Sequence, residues 1–309
     1  MGAPLTVTVV GAGMAGAACA AALAGSGVPV RLVERGRAPG GRLASPEVHA
    51  RRVDLGAGYF TVRDPGFADV VDGWQGAGLA REWTDTFGVL ARGETPTSTT
   101  GPVRWATPGG LRSLVRALLD DAAVPVETGT EVEALPDGPV VLAMPDPQAQ
   151  RVFAAPEVRF VDYDPVIAVA CGFAAADWSL PGAAFVHDHP DVTFVADDGA
   201  RRGDGAPVLV AHSTPERARK HLVRPEDAVG PVVAALRDLL GVGEPEWTHA
   251  HRWTFAKPAD RHDDTFHLHL AGPAPVGFAG DQWCPDGSPR VESAWRSGTD
   301  LGRALAATL

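Results

Sequence analysis

The first residues with a chemical signature are a glycine-rich turn, Gly11 to Gly16, and an acid, Glu34, that follows it near the start of the chain. The turn directly follows the apolar run 5–10, and Glu34 ends a second apolar run, 30–33. In this spacing the first glycine permits a tight turn, the second admits a pyrophosphate to the backbone, and the third lets helix and strand pack closely. The Glu34 carboxylate can then accept hydrogen bonds from ribose hydroxyls. The residues predicted to line this dinucleotide site are Gly11, Gly13, Met14, Ala15 and Gly16.

A second glycine turn, Gly40-Gly41-Arg42, begins six residues after Glu34. It can bring another backbone turn and a guanidinium to the same pyrophosphate, which arginine binds through two parallel hydrogen bonds. The simpler alternative is an ordinary surface turn. The first motif alone does not separate NAD from FAD, whereas a longer cofactor held along its whole length needs extra anchors. We therefore count this turn, together with Arg35, among the candidate cofactor contacts.

The far end of the chain carries a matching arrangement. Val276–Ala279 is predicted to be a short buried strand, and Gly280 and Asp281 end it. An acid at the carboxyl end of such a strand can bind ribitol hydroxyls. A helix predicted from about Val291 follows, and its positive N-terminal end can stabilise a reduced flavin ring. The two ends of the chain are therefore predicted to meet at one cofactor.

Composition limits the classes of function that need to be considered. The chain has 309 residues, 45% of them hydrophobic, and a net charge of −11. The length and the hydrophobic fraction suit one large domain or two interleaved ones. The acidic balance argues against non-specific binding of nucleic acid and against docking on anionic membranes. An anionic substrate would therefore need local arginines that outweigh the overall field.

Cysteine usage and hydropathy suggest a reducing, cytoplasmic location. The three cysteines are widely spaced and form no CxxC motif, so disulfides are not expected to hold the fold. Residues 4–30 carry no charge, but their five glycines and their change from β-branched to alanine-rich sequence predict a strand, a turn and a buried helix. No basic region precedes them, so a signal peptide is not expected. Cys284 is expected to be a free thiol, and the cofactor non-covalent.

Longer motifs spread over the chain resemble those of the FAD-dependent amine oxidase superfamily and, within it, those of the renalase-like oxidases. These motifs are VVGAGMAGAACA (9–20), the Glu34 to Gly40-Gly41-Arg42 spacing, DLGAGYFTV (54–62), WATPGGLRSLVRALL (105–119), VVLAMPDPQA (140–149), HRWTFA (251–256) and the closing GD to VESAWRSG segment. The two ends are specific for FAD, whereas the stretches 54–62 and 251–256 favour the renalase branch. The middle of the chain, about 155–245, carries no usable motif.

The resemblance implies an α/β fold in which a doubly wound, Rossmann-type FAD-binding domain is interleaved with an α+β substrate domain built on a mostly antiparallel sheet. The FAD domain would comprise 1–62, 101–155 and 264–309, and the substrate domain 63–100 and 156–263. The resemblance also implies FAD contacts from a third glycine turn, from a segment beside the adenine and from the last strand and helix. These contacts are Gly56, Ala57, Gly58, Val132, Gly280, Asp281, Val291, Glu292 and Ala294.

Local patterns agree with this division and predict individual elements. Helices are expected at 110–121 and at about 228–240. The segments expected to form strands are 124–127, 140–143, 166–173, 185–187, 192–196 and 208–212. The stretch GETPTSTTGP, 93–102, is predicted to be a loop.

Renalase-like oxidases are known for oxidising isomeric dihydronicotinamides, which are forms of NAD(P)H reduced at the 2- or 6-position of the ring. The resemblance implies that a hydride passes to flavin N5, that NAD(P)+ leaves, and that dioxygen reoxidises the flavin to give hydrogen peroxide. A dihydropyridine loses hydride without losing a proton, so no catalytic acid or base is expected. The sequence does not distinguish NAD from NADP forms. The candidate pocket residues are Tyr59, Phe60, Arg104, Trp105, His251, Arg252 and Trp253.

Two other functions remain open at this point. Many amine oxidases place a lysine near flavin N5, and this chain has only two lysines. Lys220 lies in a polar helical stretch, and Lys257 stands only 24 residues before Asp281 (281 − 257), closer than that lysine usually lies. An oxidase of amines or amino acids is therefore the first alternative. A flavin-binding protein without turnover is the second, because binding and catalysis are separable.

Three pairs of histidines, each with one residue between its members, could place two imidazoles on one face of a strand. The pairs are His187 with His189, His249 with His251, and His267 with His269. No third ligand is evident beside any pair in the sequence, and the flavin already supplies redox chemistry. No metal is therefore expected.

Overall fold

The structure is a computed structural model that describes residues 5–309. Within these residues, fifteen strands form a six-stranded sheet, a seven-stranded sheet and a two-stranded ribbon. In chain order the strands are β1 (Val7–Val10), β2 (Val30–Glu34), β3 (Glu47–Val48), β4 (Arg51–Arg52), β5 (Arg81–Ala91), β6 (Thr97–Ala106), β7 (Val126–Thr128), β8 (Val140–Ala143), β9 (Tyr163–Gly172), β10 (Ala183–His187), β11 (Val192–Asp197), β12 (Val208–Ser213), β13 (Trp247–Pro258), β14 (His267–His269) and β15 (Val276–Ala279).

Eight α-helices connect and cover the strands in the same part of the chain. In chain order they are α1 (Met14–Gly25), α2 (Pro65–Gly76), α3 (Arg112–Asp121), α4 (Asp146–Val152), α5 (Asp198–Arg202), α6 (Pro215–Lys220), α7 (Val229–Leu240) and α8 (Val291–Ala306). Two 3₁₀ helices span Gly41–Leu43 and Pro225–Ala228. Among residues 5–309, no helix is long and apolar enough to cross a membrane.

The six-stranded sheet contains both ends of the described chain. Its order is β14-β15-β8-β1-β2-β7, and every neighbouring pair from β15 to β7 is parallel. Every residue of β1 and β8 is buried, as expected for central strands of a parallel sheet that is covered on both faces. Val9 packs in the core that includes α1 and α8, and Val10 packs in the core on the other face.

The seven-stranded sheet has the order β13-β9-β12-β11-β10-β5-β6. Its neighbouring strands are antiparallel except β10 and β5, which run parallel. A Rossmann-type sheet and a mostly antiparallel second sheet are the fold class predicted from the sequence, which is therefore confirmed.

Alternation along residues 167–171 of β9 gives the second sheet two different faces. Ile167 and Val169 point to a core that is completed by Val232 and Leu236 of α7. Ala168 and its neighbours point the other way and pack against the ribbon segment 48–55. We call the side that carries Ala168 the front face; it is the side of the sheet turned toward the glycine turns.

One predicted loop is wrong. The stretch 93–102 is not a loop throughout, because β6 begins at Thr97 and pairs with β5 as an antiparallel hairpin. The Thr-rich half of this stretch is β-branched and mostly exposed, which suits an edge strand of a sheet. The glycine and proline that suggested a loop belong to the short turn before it and to the exposed edge.

The predicted domain division stays a proposal, and the packing of α2 changes one of its boundaries. Phe67, Val71 and Trp74 of this helix are buried in the same core as β1 and α1. The sequence predicts that the second domain begins at residue 63. We now propose that it begins after α2, since a helix belongs with the core that its apolar face completes.

Candidate functional site

The two glycine turns near the start of the chain touch each other. The Gly40 N–H donates a hydrogen bond to the Ala12 carbonyl oxygen at 2.8 Å. A Cβ added at Gly41 would stand 3.3 Å from the Gly13 Cα, so a side chain there would narrow the gap between the turns. Gly40 and Gly41 have φ values of 130° and 50°, which other residues rarely adopt. The second turn is therefore an extension of the first and not an unrelated surface turn.

The first turn ends at the N-terminus of α1, whose backbone N–H groups have no side-chain partner there. The N-cap residue is Gly13, no side chain caps the helix, and its first turn contains no acid. A Cβ added at Gly16 would collide with the Gly11 carbonyl oxygen, so helix and turn are in direct contact. Unpaired N–H groups and the helix dipole make this end a binding site for a phosphate.

Glu34 lies at the end of β2 and organises the loops around it. Its carboxylate accepts hydrogen bonds from the N–H of Ala12 at 2.9 Å and of Gly36 at 2.7 Å. The Thr130 N–H donates to the Glu34 carbonyl oxygen at 3.0 Å, which brings the segment leading to Val132 alongside. The Glu34 side chain remains half-buried, so each carboxylate oxygen keeps room for a ribose hydroxyl.

Arg35 points to this same segment. Its guanidinium forms an exposed ion pair with Glu131 at 3.5 Å. The predicted adenine segment is thus linked to the end of β2 at two residues, Glu34 and Arg35.

Arg42 and Asp281 join the second glycine turn to the carboxyl end of β15. Arg42 Nη1 donates to Asp281 Oδ2 at 2.9 Å, and Nη2 donates to Oδ1 at 2.6 Å. Arg42 Nη1 also donates to the Ala256 carbonyl oxygen at 3.1 Å, which ties both residues to β13. Tyr163 lies beneath the guanidinium, 5.6 Å from ring centroid to Cζ, and its buried hydroxyl has no hydrogen-bond partner within residues 5–309.

The start of α8 closes the same region. The helix begins at Val291 as predicted, and the Glu292 carboxylate accepts hydrogen bonds from the N–H groups of Arg63 and Asp64. Ser293 Oγ donates to the Asp281 carbonyl oxygen at 3.2 Å. Ala294 lies one residue further along the helix, whose side packs closely on α1.

The third glycine turn packs under the second. A Cβ added at Gly56 would collide with the Arg42 carbonyl oxygen, and the Ala57 N–H donates to that oxygen at 2.9 Å. A Cβ at Gly58 would stand 2.9 Å from the ring of Phe194. At the other end of the site, Gly280 donates its N–H to Ser297 Oγ at 3.0 Å.

These residues fit FAD. The structure brings together an uncapped helix N-terminus for a pyrophosphate and a half-buried carboxylate for a ribose. It also places the second glycine turn against both the first and the third, where added side chains would narrow or block the space. An arginine–aspartate pair joins the two halves. We propose that this arrangement holds a long dinucleotide along its length, which a single glycine turn cannot do.

The front face of the second sheet supplies the other wall. Paired positions place His251, Ala168, His212 and Phe194 in one row across β13, β9, β12 and β11. Residues paired across strands share a face, so these side chains point toward the glycine turns. Trp253 lies two positions along β13 from His251, and its Nε1–H donates to the Leu55 carbonyl oxygen at 2.7 Å.

His212 is an uncharged imidazole in this wall. Burial lowers its pKa to about 3, and the positive charges of Lys257 and Arg201 add to the effect. Its ring forms no hydrogen bond with residues 5–309, and it lies 5.5 Å from the ring of Phe194. His251 is affected in the same direction, because burial lowers its pKa. Both imidazoles are therefore neutral near pH 7 and offer a donor or an acceptor without a charge.

Lys257 lies close to this wall, near enough for its charge to act on His212. It pairs with Asp164 in the register between β13 and β9, after an irregularity that follows Trp253. Burial lowers the pKa of its amine, although Asp164 acts in the opposite direction. Lys257 forms no ion pair within residues 5–309, since Asp164 pairs with Arg219. Its ammonium group is therefore available to a ligand.

Tyr59 and Arg104 form the far part of the same wall. The Tyr59 ring packs edge-on against Phe87 at 5.1 Å between centroids, and the Arg104 guanidinium lies 4.1 Å above Phe87. Burial raises the pKa of Tyr59, against the effects of Arg104 and Arg290. Arg104 is 6% exposed and has no carboxylate partner in the described part of the chain.

Three of the predicted pocket residues lie elsewhere. Phe60 and Trp105 are stacked on each other at 6.1 Å, and Phe60 also packs on Phe67 and Trp74 in the first core. The chain is extended at 59–60, so Tyr59 faces the pocket and Phe60 faces the opposite way. Arg252 alternates with its neighbours in β13, lies on the back of the sheet and donates to the Leu222 carbonyl oxygen. We therefore remove these three residues from the proposed pocket.

The sequence prediction missed His212 and Phe194, and it left the role of Lys257 open. The first two lie in the middle of the chain, where no motif was usable, and their strands cannot be paired from sequence alone. The only available signal was alternation: His212 follows Val208 and Val210 on one face of a strand. The statement that no histidine pair has a third ligand is also wrong, because Glu157 lies against His267 and His269.

Comparison with known proteins agrees with this geometry. Residues 96–301, more than half of the chain, match the family described as flavin containing amine oxidoreductase. Residues 9–74 match the NAD(P)-binding Rossmann-like domain.

Solved structures with the same fold cover nearly the whole chain. Cyclohexylamine oxidase from Brevibacterium oxydans IH-35A has a TM-score of 0.76 at 15% identity, over 99% of each chain. Putrescine oxidase bound to putrescine has a TM-score of 0.72 at 15% identity, again over 99% of each chain. An oxidoreductase from Methanosarcina mazei has a TM-score of 0.69 at 12% identity, over 96% of this chain and 99% of the other. At such low identities the likeness is one of fold. The family match carries the assignment: the chain belongs to the flavin-containing amine oxidoreductases and is an FAD-dependent oxidoreductase.

Proposed function

We propose that this enzyme oxidises a dihydronicotinamide ring carried on a phosphorylated nucleotide, in the manner of the renalase-like oxidases. Its products would be NAD(P)+ and, from dioxygen, hydrogen peroxide. The observation that carries the proposal is the charge of the side chains in and beside the front face. The cations Arg104 and Lys257 have no ion-pair partner within residues 5–309, and the imidazoles of His212 and His251 are neutral.

The carboxylates around this wall are already engaged. Asp281 pairs with Arg42, Asp164 pairs with Arg219, and Glu292 accepts two backbone N–H groups. A protonated amine binds best where an unpaired carboxylate can balance its charge, because burying a cation without a partner is costly. An anionic nucleotide, by contrast, would supply the missing partners of the two cations. These cations are also the local positive charges that an anionic substrate needs against the net charge of −11.

The flat side chains of this wall suit a ring substrate. Tyr59, Phe194 and Trp253 present aromatic surface that can orient a nicotinamide ring and exclude water from it. Neutral His212 can donate or accept one hydrogen bond with the carboxamide without adding a charge. When bound, FAD supplies the hydride acceptor and is reoxidised by dioxygen. Since hydride leaves a dihydropyridine without a proton, none of these residues has to act as an acid or a base.

An oxidase of small amines is the second candidate, and two observations favour it. Putrescine oxidase and cyclohexylamine oxidase share the fold over nearly the full chain. Lys257 lies near enough to His212 for its charge to lower the pKa of that imidazole, although in the sequence it stands closer to Asp281 than the lysine of many amine oxidases does. An uncompensated lysine beside a bound amine would favour the neutral amine, which is the form able to lose a hydride.

Anaerobic stopped-flow spectroscopy of the flavin band separates the two candidates. The donors would be the 2- and 6-dihydronicotinamide isomers, ordinary NADH, and a panel of primary amines that includes putrescine. Fast bleaching by an isomer, with peroxide formed on adding air, supports the proposal. Bleaching by an amine and by no dihydronicotinamide contradicts it and assigns the enzyme to the amine oxidases. Ordinary NADH is the control for unspecific hydride transfer.

A further inference from the structure

One carboxylate and two imidazoles converge at the outer edge of the six-stranded sheet. His267 and His269 stand two positions apart on β14, so both rings leave the same face of an edge strand. His267 Nε2 lies 3.0 Å and His269 Nδ1 lies 2.5 Å from the same oxygen, Glu157 Oε1. Residues from two distant segments, 110 and 112 positions apart, thus supply three potential ligand atoms to one point.

The separations between these atoms are those of a metal site. The three ligand atoms all lie within 4.8 Å of one another. In a tetrahedral site with bonds of about 2.0–2.2 Å, neighbouring ligand atoms stand about 3.3–3.5 Å apart. Small movements of the partly exposed Glu157 side chain would therefore open the cluster to an ion. Without an ion, both facing ring nitrogens must carry a proton to bond to the same oxygen.

We propose that Glu157, His267 and His269 bind a divalent first-row transition ion, with Zn²⁺ as the best fit. Two imidazole nitrogens and one carboxylate oxygen suit zinc, copper or nickel, whereas magnesium and calcium prefer sites built from oxygen alone. The Glu157 side chain is 44% exposed, so the fourth position is open to water or to a further ligand. The other two histidine pairs have no third ligand within residues 5–309.

Aromatic neighbours hold the two rings in place. Phe153 packs on His269 with 5.2 Å between ring centroids, and Trp283 stacks on His267 at 6.1 Å and 18°. Trp283 belongs to the loop that begins at Asp281. The proposed metal site therefore contacts this loop at Trp283, whereas the proposed cofactor site includes the same loop at Asp281. An ion there would restrain this loop without touching the cofactor.

The test is a zinc titration of the FAD-bound enzyme, prepared without an affinity tag and freed of metal with a chelator. Isothermal titration calorimetry should show one equivalent of Zn²⁺ per chain, with a dissociation constant of about 10 μM or lower. Glu157→Gln and His267→Ala should each weaken binding at least about tenfold, because each removes one ligand. The matched control is the double variant His187→Ala, His189→Ala, which removes another histidine pair and should bind as the parent does.

A second measurement covers the case in which a variant is destabilised. Copper EPR of the unmodified enzyme should show nitrogen splitting from two imidazoles, and from one in His267→Ala. The proposal is overturned if the unmodified enzyme takes up no zinc. It is also overturned if the control variant loses the ion while Glu157→Gln and His267→Ala keep it. FAD content and turnover are not readouts of this test, so its outcome is independent of the proposed function.

Discussion

Arg42 and Asp281 are 239 positions apart in the chain, yet they meet through two parallel hydrogen bonds of 2.9 and 2.6 Å. The pair joins the second glycine turn to the carboxyl end of β15, and both side chains are mostly buried, at 27% and 13% exposure. The sequence predicted that one residue binds a pyrophosphate and the other a ribitol. The structure adds that each fixes the position of the other.

Asp281→Ala should therefore yield folded protein that is poor in flavin. Loss of the carboxylate leaves the Arg42 guanidinium without its main partner and removes a candidate ribitol ligand. We expect the protein stripped of FAD to lose roughly 1–3 kcal/mol of stability, less than the 3–5 kcal/mol of a fully buried pair. The ratio of flavin to protein absorbance after purification measures the first effect, and a denaturant titration measures the second.

The matched control is Glu127→Ala, which breaks the exposed pair between Arg31 and Glu127 on the same sheet. It should keep full FAD and leave stability nearly unchanged, because water screens a fully exposed pair. Full flavin content in Asp281→Ala would contradict the cofactor site described above.

Substitutions at two glycines of the first turn should separate loss of the cofactor from loss of the fold. A Cβ at Gly13 meets nothing closer than the Gly41 Cα at 4.0 Å, so Gly13→Ala should leave the empty protein folded. The added methyl would nevertheless stand where a pyrophosphate approaches, and we expect FAD content to fall several-fold. A Cβ at Gly16 would collide with the Gly11 carbonyl oxygen, so Gly16→Ala should destabilise the fold itself.

Circular dichroism and flavin absorbance together distinguish these two outcomes. Gly25→Ala is the control, because a Cβ there has open space around it. A folded, fully loaded Gly13→Ala protein would show that the pyrophosphate does not lie against this turn.

Local patterns identified the glycine turns, Glu34 and the start of α8, which the structure brings together, whereas long-range strand pairing hid the composition of the front face. The turn at 11–16, Glu34 and the start of α8 depend on short-range glycine and helix signals, which the chain displays in order. The front face depends on which strands become neighbours. Nothing in the sequence around His212 states that β12 will lie between β9 and β11, two strands away from β13.

Alternation also explains the errors at neighbouring positions. Tyr59 and Phe60 have similar chemistry and adjacent numbers, but an extended chain sends their side chains to opposite sides. For the same reason the side chain of Arg252 points to the opposite face of the sheet from those of His251 and Trp253. Sequence alone gives the alternation, but it does not state which of the two sides faces the cofactor.

The lowered pKa of His212 predicts a pH dependence of stability. Its folded-state pKa is about 3, below the ordinary value of 6.5, so the unfolded chain binds the proton first as the pH falls. The contribution of neutral His212 to the free energy of unfolding is therefore complete above pH 6.5. It decreases toward pH 3, by up to about 1.4 kcal/mol per pH unit.

His212→Gln removes this titration while keeping a neutral polar side chain. Between pH 6.5 and 5 the parent should lose about 1–2 kcal/mol more than the variant. Denaturant titrations of both proteins at the two pH values measure the difference, and His187→Gln, at the exposed end of β10, is the control. Equal pH dependence of parent and His212→Gln would show that folding does not lower the pKa of the imidazole.

Replacing Lys257 distinguishes a role of this residue in substrate binding from a role in hydride transfer. If its ammonium group meets a substrate phosphate, Lys257→Met should raise KM for a dihydronicotinamide isomer by roughly 3- to 10-fold, the effect of one partly screened charge pair. The rate of flavin bleaching at saturating donor should change little, because that charge acts equally before and during hydride transfer. FAD content should stay full, since Lys257 is not among the proposed cofactor contacts. Lys220→Met, at the end of α6, is the matched control and should leave both constants unchanged. A large fall in the saturating rate with KM unchanged would place the amine beside the reacting atoms instead and would favour the amine oxidase alternative.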